Sequence, residues 1–164
     1  MEFQDKDEVL AVVQASAGRR FIGIVALGLL GALLIYMGLS QSPGFGWQVF
    51  LLAVGAGALW LATRMHQATS SHIELTPEVL RDGDGTVLAR LADVEGLERG
   101  AFAFLKPSNG FLVRTTQSYP RRWRPGLWWC LGRRIGVGGM TSAQQTKFMS
   151  EIISGILASR EQAD

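Results

Sequence analysis

The feature that most constrains this fold is the absence of any charged side chain between residues 21 and 63. The stretch divides into two apolar runs, residues 21–39 and 47–63, separated by SQSPGFG, whose proline and glycines are typical of a turn. A helix rises about 1.5 Å per residue, so the first run covers roughly the 30 Å hydrocarbon core of a bilayer. The second run is at the short end of the spanning range, with Trp47 and Trp60 near its ends. Residues 21–63 therefore predict a transmembrane helical hairpin.

Two other interpretations of these runs are disfavoured. A cleaved signal peptide does not fit, because a long and partly acidic region precedes the first run and a second apolar run follows at once. Two core helices of a soluble domain do not fit either, since a chain of 164 residues rarely needs two all-round hydrophobic helices joined by so short a turn.

The basic residues beside the spans predict the orientation. Lys6, Arg19 and Arg20 precede the first span, and Arg64 follows the second. Short loops rich in lysine and arginine stay in the cytoplasm, so we expect a multi-pass protein with both termini cytoplasmic.

Small residues at four-residue spacing occur in both spans. Gly28 with Ala32 and Ala53 with Gly57 would allow close approach of helix backbones, either between the two helices or towards another membrane protein. Gly and Ala are also simply frequent in membrane helices. Neither span contains Asp, Glu, Lys, Arg or His, which argues against a proton relay or transport site within the hairpin.

Residues 1–20 form a cytoplasmic arm. Asp5 or Asp7 could cap a short helix, and apolar residues 9–13 could place that helix on the membrane surface. A frayed tail is the other interpretation.

Residues 70–160 predict short antiparallel strands followed by one helix. Apolar and polar residues alternate in SHIEL, around Phe102 and Phe104, and in residues 111–113 and 135–137, as expected for strands. EVLRDGDGTVLARL is typical of a hairpin around residues 82–85, and residues 106–110 predict a turn. Ser142 and Gln145 predict a capping box. The one-sided helical stripe that follows must be buried against the sheet, and Gly155 within it indicates close packing; its members are Phe148, Met149, Ile152, Ile153, Ile156 and Leu157.

This order of elements resembles a pleckstrin-homology-like (PH-like) domain. The phrases IELTPEVLRDGDG, VLARLADVEGLERG and LGRRIGVGGMTSAQQ look like those of bacterial PH-like domains that follow paired membrane helices. The resemblance implies an α+β membrane protein of the bacterial inner membrane, with an antiparallel β-barrel or sheet closed by a C-terminal amphipathic helix. It implies a binding role and no shared catalytic site. Phosphoinositide-binding PH domains carry basic residues in the first hairpin, where this chain has RDGDG.

Charge is segregated along this domain. Residues 71–98 hold seven acids and two arginines, whereas residues 99–150 hold nine basic residues and no acid. Residues 119–134, YPRRWRPGLWWCLGRR, are called the Arg/Trp segment here and read as a Pro/Gly-broken loop with five arginines and three tryptophans. The candidate contact residues are Arg121, Arg122, Trp123, Arg124, Trp128, Trp129, Arg133 and Arg134.

The Arg/Trp segment has four interpretations. Tryptophan at headgroup depth with arginine on lipid phosphate would bind a membrane surface. Tryptophan and arginine are also enriched at protein–protein hot spots. Trp128 and Trp129 could instead lie partly in the core while the arginines are solvated. Nucleic-acid binding ranks last, because a tether at Arg64 favours lipid or a membrane partner.

No catalytic or metal motif emerges from the sequence. Asp82-Gly83-Asp84-Gly85 lacks the third acidic position and the glutamate of a calcium loop, His66 and His72 lack metal-ligand spacing, and Cys130 is the only cysteine. We therefore expect a non-enzymatic module with no cofactor, no metal and no small-molecule substrate. The expected role is an accessory, assembly or regulatory subunit that docks on a larger inner-membrane protein complex through its helices and the Arg/Trp segment. The alternative is a stand-alone sensor of anionic lipid or membrane stress.

Overall fold

The computed structural model describes residues 8–41, 43–98 and 109–162 and has an α+β architecture. Two long helices are followed by antiparallel sheets and a C-terminal helix. The elements are β1 (Ala11–Gln14), α1 (Ala17–Ser40), α2 (Phe45–Ala68), β2 (His72–Leu75), β3 (Val79–Asp82), β4 (Val87–Arg90), a 3-10 turn (Leu91–Asp93), β5 (Val94–Leu97), β6 (Phe111–Arg124), β7 (Trp128–Val137) and α3 (Ala143–Glu161).

Helices α1 and α2 are each 24 residues long and apolar enough to cross a membrane. They extend beyond the predicted spans by about a turn at the start of α1 and at the end of α2, so that Arg19, Arg20 and Arg64 are helical. Only 11% and 17% of the residues in their most apolar windows are buried. That exposure contradicts the interpretation of two core helices in a soluble domain, which would be mostly buried.

The two helices pack through glycines other than the predicted ones. A Cβ built on Gly31 would lie 2.9 Å from the carbonyl oxygen of Gly55, and one built on Gly55 would lie 3.0 Å from that of Gly31. Gly38 is also buried, against Leu51 and Leu52. At these positions the backbones approach too closely for a side chain.

The prediction of Gly28, Ala32, Ala53 and Gly57 as the contact between the helices is therefore wrong. A Cβ on Gly28 or Gly57 would meet nothing within 4 Å, and Ala32 and Ala53 are exposed. Small residues four positions apart can be found in the sequence, but the face of each helix that contacts the other depends on how the hairpin closes.

The arm before α1 contains a strand, which corrects the prediction of a surface helix or frayed tail. Strand β1 pairs antiparallel with β2, in the register Ala11 to Leu75 and Gln14 to His72. Val13 is fully buried in the core. Because β1 precedes the helical hairpin and β2 follows it, this pairing fixes both ends of the hairpin at the same side of the sheet domain.

Within the described residues, seven strands form two antiparallel sheets, in the orders β1-β2-β3-β4 and β5-β6-β7. The predicted hairpin around Asp82 to Gly85 is confirmed by the pairing of β3 with β4. The pairing among the described residues does not close the strands into a barrel, so barrel closure stays a prediction. The predicted alternation at Phe102 and Phe104 and the start of the turn at 106–110 lie outside the described residues.

Helix α3 covers the core as predicted, with Met149 and Ile153 fully buried and Ile152, Ile156 and Leu157 packed against the cluster. Phe148 departs from the stripe and is 55% exposed. Gly155 is exposed and a Cβ there would meet nothing within 4 Å, so the expected close packing is wrong.

The predicted capping box at the start of α3 is only half correct. Ser142 is the N-cap residue but its side chain makes no capping hydrogen bond. The Oε1 atom of Gln145 instead accepts a hydrogen bond of 2.9 Å from the backbone N–H of Gln14. The glutamine therefore joins α3 to β1, which holds the strand before the hairpin in place.

We expect Gly55→Ala to destabilise the helix pair by about 1–3 kcal/mol, because its methyl group would meet the Gly31 carbonyl oxygen and the Ile35 side chain. Gly57→Ala is the matched control, two residues away in open space, and should be neutral or slightly stabilising. Thermal unfolding of the full chain in detergent micelles measures both. Equal shifts for the two variants would contradict this account of the packing.

Candidate functional site

The Arg/Trp segment is a β-hairpin and not the predicted loop. It comprises the end of β6 and the start of β7, joined by a tight turn at Pro125 to Leu127 in which Gly126 has a φ of +80°. Between the pairs Arg114–Arg134 and Tyr119–Gly132, four residues of β6 lie opposite one residue of β7. Such a bulge adds twist and bending, and a second irregularity follows it between the pairs Tyr119–Gly132 and Arg122–Cys130, where Pro120 is accommodated within the strand.

Trp128 is a core residue, which corrects its prediction as a contact residue. Its indole Nε1 donates a hydrogen bond of 2.6 Å to Oδ2 of Asp82, whose side chain is fully buried. The same carboxylate accepts a hydrogen bond from the Ser71 hydroxyl and lies 3.3 Å from Nε of Arg124. The acidic turn of the first hairpin thereby anchors the Arg/Trp segment.

Arg124 is held by both aspartates of that turn. Its guanidinium also pairs with Oδ2 of Asp84. The backbone N–H and hydroxyl of Thr86, followed by Arg124, lower the pKa of the Asp84 carboxyl below its usual range. Asp84 therefore remains ionised, and the charge of Arg124 is largely offset within the domain.

Most of the remaining arginines on the two strands are paired in the same way. Arg133 and Arg114 both contact Glu95, at 2.9 Å each, and Arg134 lies 3.1 Å from Glu98. These pairs join the basic half of the sequence to the acidic half. Acidic and basic side chains that are separated along the sequence are therefore neighbours in the fold, except at one part of the Arg/Trp segment.

Arg121, Arg122 and Trp123 form that exception. Both arginines are exposed, and across the described ranges neither has a carboxylate within ion-pair distance. Trp123 is 61% exposed and pairs across the hairpin with Trp129, which is half-buried with its ring against Gly136. Leu131 on the neighbouring strand is also exposed. We call these four residues, Arg121, Arg122, Trp123 and Leu131, the hairpin surface.

The turn of this hairpin packs against the end of α2. A Cβ on Gly126 would lie 3.2 Å from Cγ2 of Thr69, the residue after the helix. The space between them is a cleft of about 310 Å³ that we call the α2 cleft. Its lining residues are Trp60, Arg64, Gln67, Ala68, Trp123, Arg124 and Pro125. Sequence reasoning used Trp60 and Arg64 only to place the span and gave no signal that they would face Trp123.

Among the described residues, the cysteine and the two histidines lie elsewhere and are partnered or buried. The Cys130 thiol is buried, and burial raises its pKa despite the nearby Arg122. His72 contacts Glu74 at 2.9 Å and His66 contacts Arg20 at 3.2 Å. In the part of the chain that the structure describes, no group of three His, Cys, Asp or Glu residues is placed to hold a metal ion.

No protein-family model, curated protein or solved structure matches this chain. The likeness to PH-like domains therefore stays a prediction from the sequence. The assignment of a function depends on the geometry of the hairpin surface and the α2 cleft.

We expect Asp82→Ala to cost about 3 kcal/mol or more of folding free energy, because it leaves the buried Trp128 N–H and the Arg124 guanidinium without their shared acceptor. Asp84→Ala removes a partly exposed partner of the same arginine and should cost under about 1 kcal/mol. Tryptophan fluorescence during thermal unfolding of the full chain in micelles compares them. Similar losses for both variants would contradict the anchoring role of Asp82.

Proposed function

We propose that α1 and α2 span a bilayer, the inner membrane of a bacterial cell, and that the sheet domain lies on its cytoplasmic face. Their length and apolar composition support this placement. So do the large apolar side chains that they leave exposed, among them Phe21, Ile22, Leu29, Leu33, Leu39, Phe45, Val49 and Phe50. Arg19, Arg20 and Arg64 lie at the end of the hairpin nearest the domain, which the positive-inside rule assigns to the cytoplasm.

The pairing of β1 with β2 supports a permanent anchor over a cleaved signal segment. Removal of α1 with everything before it would also remove β1, whose Val13 is fully buried and whose Gln14 is bonded to α3. The domain would lose a strand from its sheet and expose the core beneath it.

We expect the full chain to remain in the membrane pellet after alkaline carbonate extraction, because two spanning helices hold it by hydrophobic burial. A C-terminal fluorescent-protein fusion should fluoresce, whereas a C-terminal alkaline phosphatase fusion, which is active only outside the cytoplasm, should be inactive. Release by carbonate would overturn the anchor. An active phosphatase fusion would overturn the orientation.

We infer that the protein is a non-enzymatic binding subunit that docks on a larger integral membrane protein complex. One observation carries this proposal. Arg121 and Arg122 are exposed without a carboxylate among the described residues, beside the exposed Trp123, while the other arginines of the hairpin are paired. An exposed indole next to an unpaired guanidinium group is typical of an interface hot spot.

The chemistry of this surface favours binding over catalysis. Guanidinium groups stay protonated in proteins and donate hydrogen bonds only, and Trp123 and Leu131 offer apolar area. The partner that fits is an acidic, membrane-proximal segment with an apolar residue to receive Trp123, because the hairpin surface adjoins the end of α2.

A photo-crosslinking amino acid in place of Trp123 tests the docking proposal in cells. We expect crosslinks to an integral membrane protein at an acidic segment, identified by mass spectrometry. The same amino acid in place of Phe148, which is similarly exposed but lies on α3, is the matched control and should not give that product.

Charge reversal gives a second measure of the same contact. Arg122→Glu should lower the yield of that crosslink about tenfold, since truncating a hot-spot residue costs more than about 1 kcal/mol and reversal adds repulsion. Lys147→Glu, an exposed reversal on α3, should leave the yield unchanged. Crosslinks to lipid alone, or equal losses for both variants, would overturn docking on a protein.

A further inference from the structure

We propose that the α2 cleft binds the headgroup of one anionic phospholipid. The inference rests on the proposed placement of the hairpin in a bilayer and needs no protein partner. The ligand group that the cleft would recognise is a phosphate ester, either a monoester or a diester. A lipid headgroup and a soluble phosphate ester share this chemistry, and the position of the cleft points to the lipid.

The cleft lies at the depth of phospholipid headgroups. Helix α2 has no charged residue from position 45 to position 63, and those 19 residues span about 28 Å, close to the thickness of the hydrocarbon core. Arg64 is the first charge after them. Trp60, Arg64 and Gln67 follow one another at intervals of four and three residues, so they share one face of the helix, and this face is turned to the cleft.

Arg64 is the cation available to a ligand. Within the described residues it has no carboxylate partner, and its guanidinium carbon lies 5.3 Å from the ring centre of Trp60. Stacking on the indole orients the planar guanidinium while leaving its N–H groups free. A guanidinium in this state can bind a phosphate through two parallel hydrogen bonds.

The rest of the lining fits an anion with an apolar stem. Gln67 adds an amide that can donate a hydrogen bond, and the described lining residues include no acid. Arg124 contributes less positive charge to the cleft because it forms ion pairs with Asp82 and Asp84. Trp123 and Pro125 form an apolar wall opposite Trp60, and tryptophan is favoured at the boundary between headgroups and acyl chains.

The volume of the cleft matches one headgroup. At about 310 Å³ it is near the lower limit of small-ligand sites, which is enough for a phosphate and its glycerol but not for the acyl chains. Those chains would continue along the exposed apolar surface of α2. A soluble phosphate ester would lack that second contact and should bind far more weakly.

Native mass spectrometry of the delipidated full chain in detergent tests the proposal. The chain is titrated separately with phosphatidylglycerol, phosphatidylcholine and glycerol 3-phosphate. We expect one phosphatidylglycerol to bind at a concentration at least about fivefold below that for phosphatidylcholine, the factor that one nearby basic residue supplies. Glycerol 3-phosphate should give no adduct. Equal binding of the two lipids would overturn the site, and binding of glycerol 3-phosphate as tight as that of phosphatidylglycerol would replace the lipid by a soluble ester.

Arg64→Gln should abolish the preference for phosphatidylglycerol, and Arg64→Lys should retain part of it. Arg20→Gln is the matched control, because Arg20 is an arginine at the same end of the hairpin that does not line the cleft. Equal losses for Arg64→Gln and Arg20→Gln would show a general surface charge effect and overturn a built site. Each variant is first checked for an unchanged thermal unfolding midpoint, and Arg64→Lys preserves the test if Arg64→Gln unfolds.

Failure of this inference can be distinguished from failure of the proposed function. Arg122→Gln, on the hairpin surface outside the cleft, should leave the preference for phosphatidylglycerol unchanged while weakening docking. Loss of the membrane anchor would appear as release of the chain by carbonate, before any lipid is added.

Discussion

The buried carboxylate of Asp82 fixes the position of the Arg/Trp segment relative to the helical hairpin. It accepts hydrogen bonds from Ser71, just after α2, and from Trp128 at the start of β7, and it pairs with Arg124 at the end of β6. A buried charge is tolerated only where several donors replace its water. Three donors from separate parts of the chain meet that requirement, so the exit from α2, the first β-hairpin and the Arg/Trp segment are held together.

The position of the segment explains which of its residues remain available. Arginines close to the acidic turn or to β5 find carboxylates across the fold, and their charge contributes to cohesion. Arg121 and Arg122 lie on the outer part of β6, where the described residues supply no acid. Trp128 is buried in the core, where its indole donates a hydrogen bond to Asp82, while Trp123 on the opposite strand is exposed beside α2. One strongly basic segment is thereby divided into a structural part and an accessible part.

Much of the local structure was predictable, because it depends on patterns within a few residues. The uncharged runs became α1 and α2, the Asp-Gly turn became the β3–β4 hairpin, and the apolar stripe near the C-terminus covers the core through Met149 and Ile153. The errors fell where a distant partner decides. β1 is a strand because β2, which begins 58 residues after β1 ends, offers an edge to pair with, in the register Ala11 to Leu75 and Gln14 to His72. Gln145 bonds Gln14 instead of capping its own helix.

The sequence by itself determined that two helices are long and apolar enough to cross a bilayer, that strands and one amphipathic helix follow, and that basic and aromatic residues concentrate in one segment. Only the tertiary structure decided which glycines meet in the hairpin, which arginines are neutralised, and that Trp60 and Arg64 face Trp123 across a cleft. The physical reason is that hydropathy and turn preferences act over a few residues. Ion pairs and close packing depend instead on which surfaces the closed fold brings together.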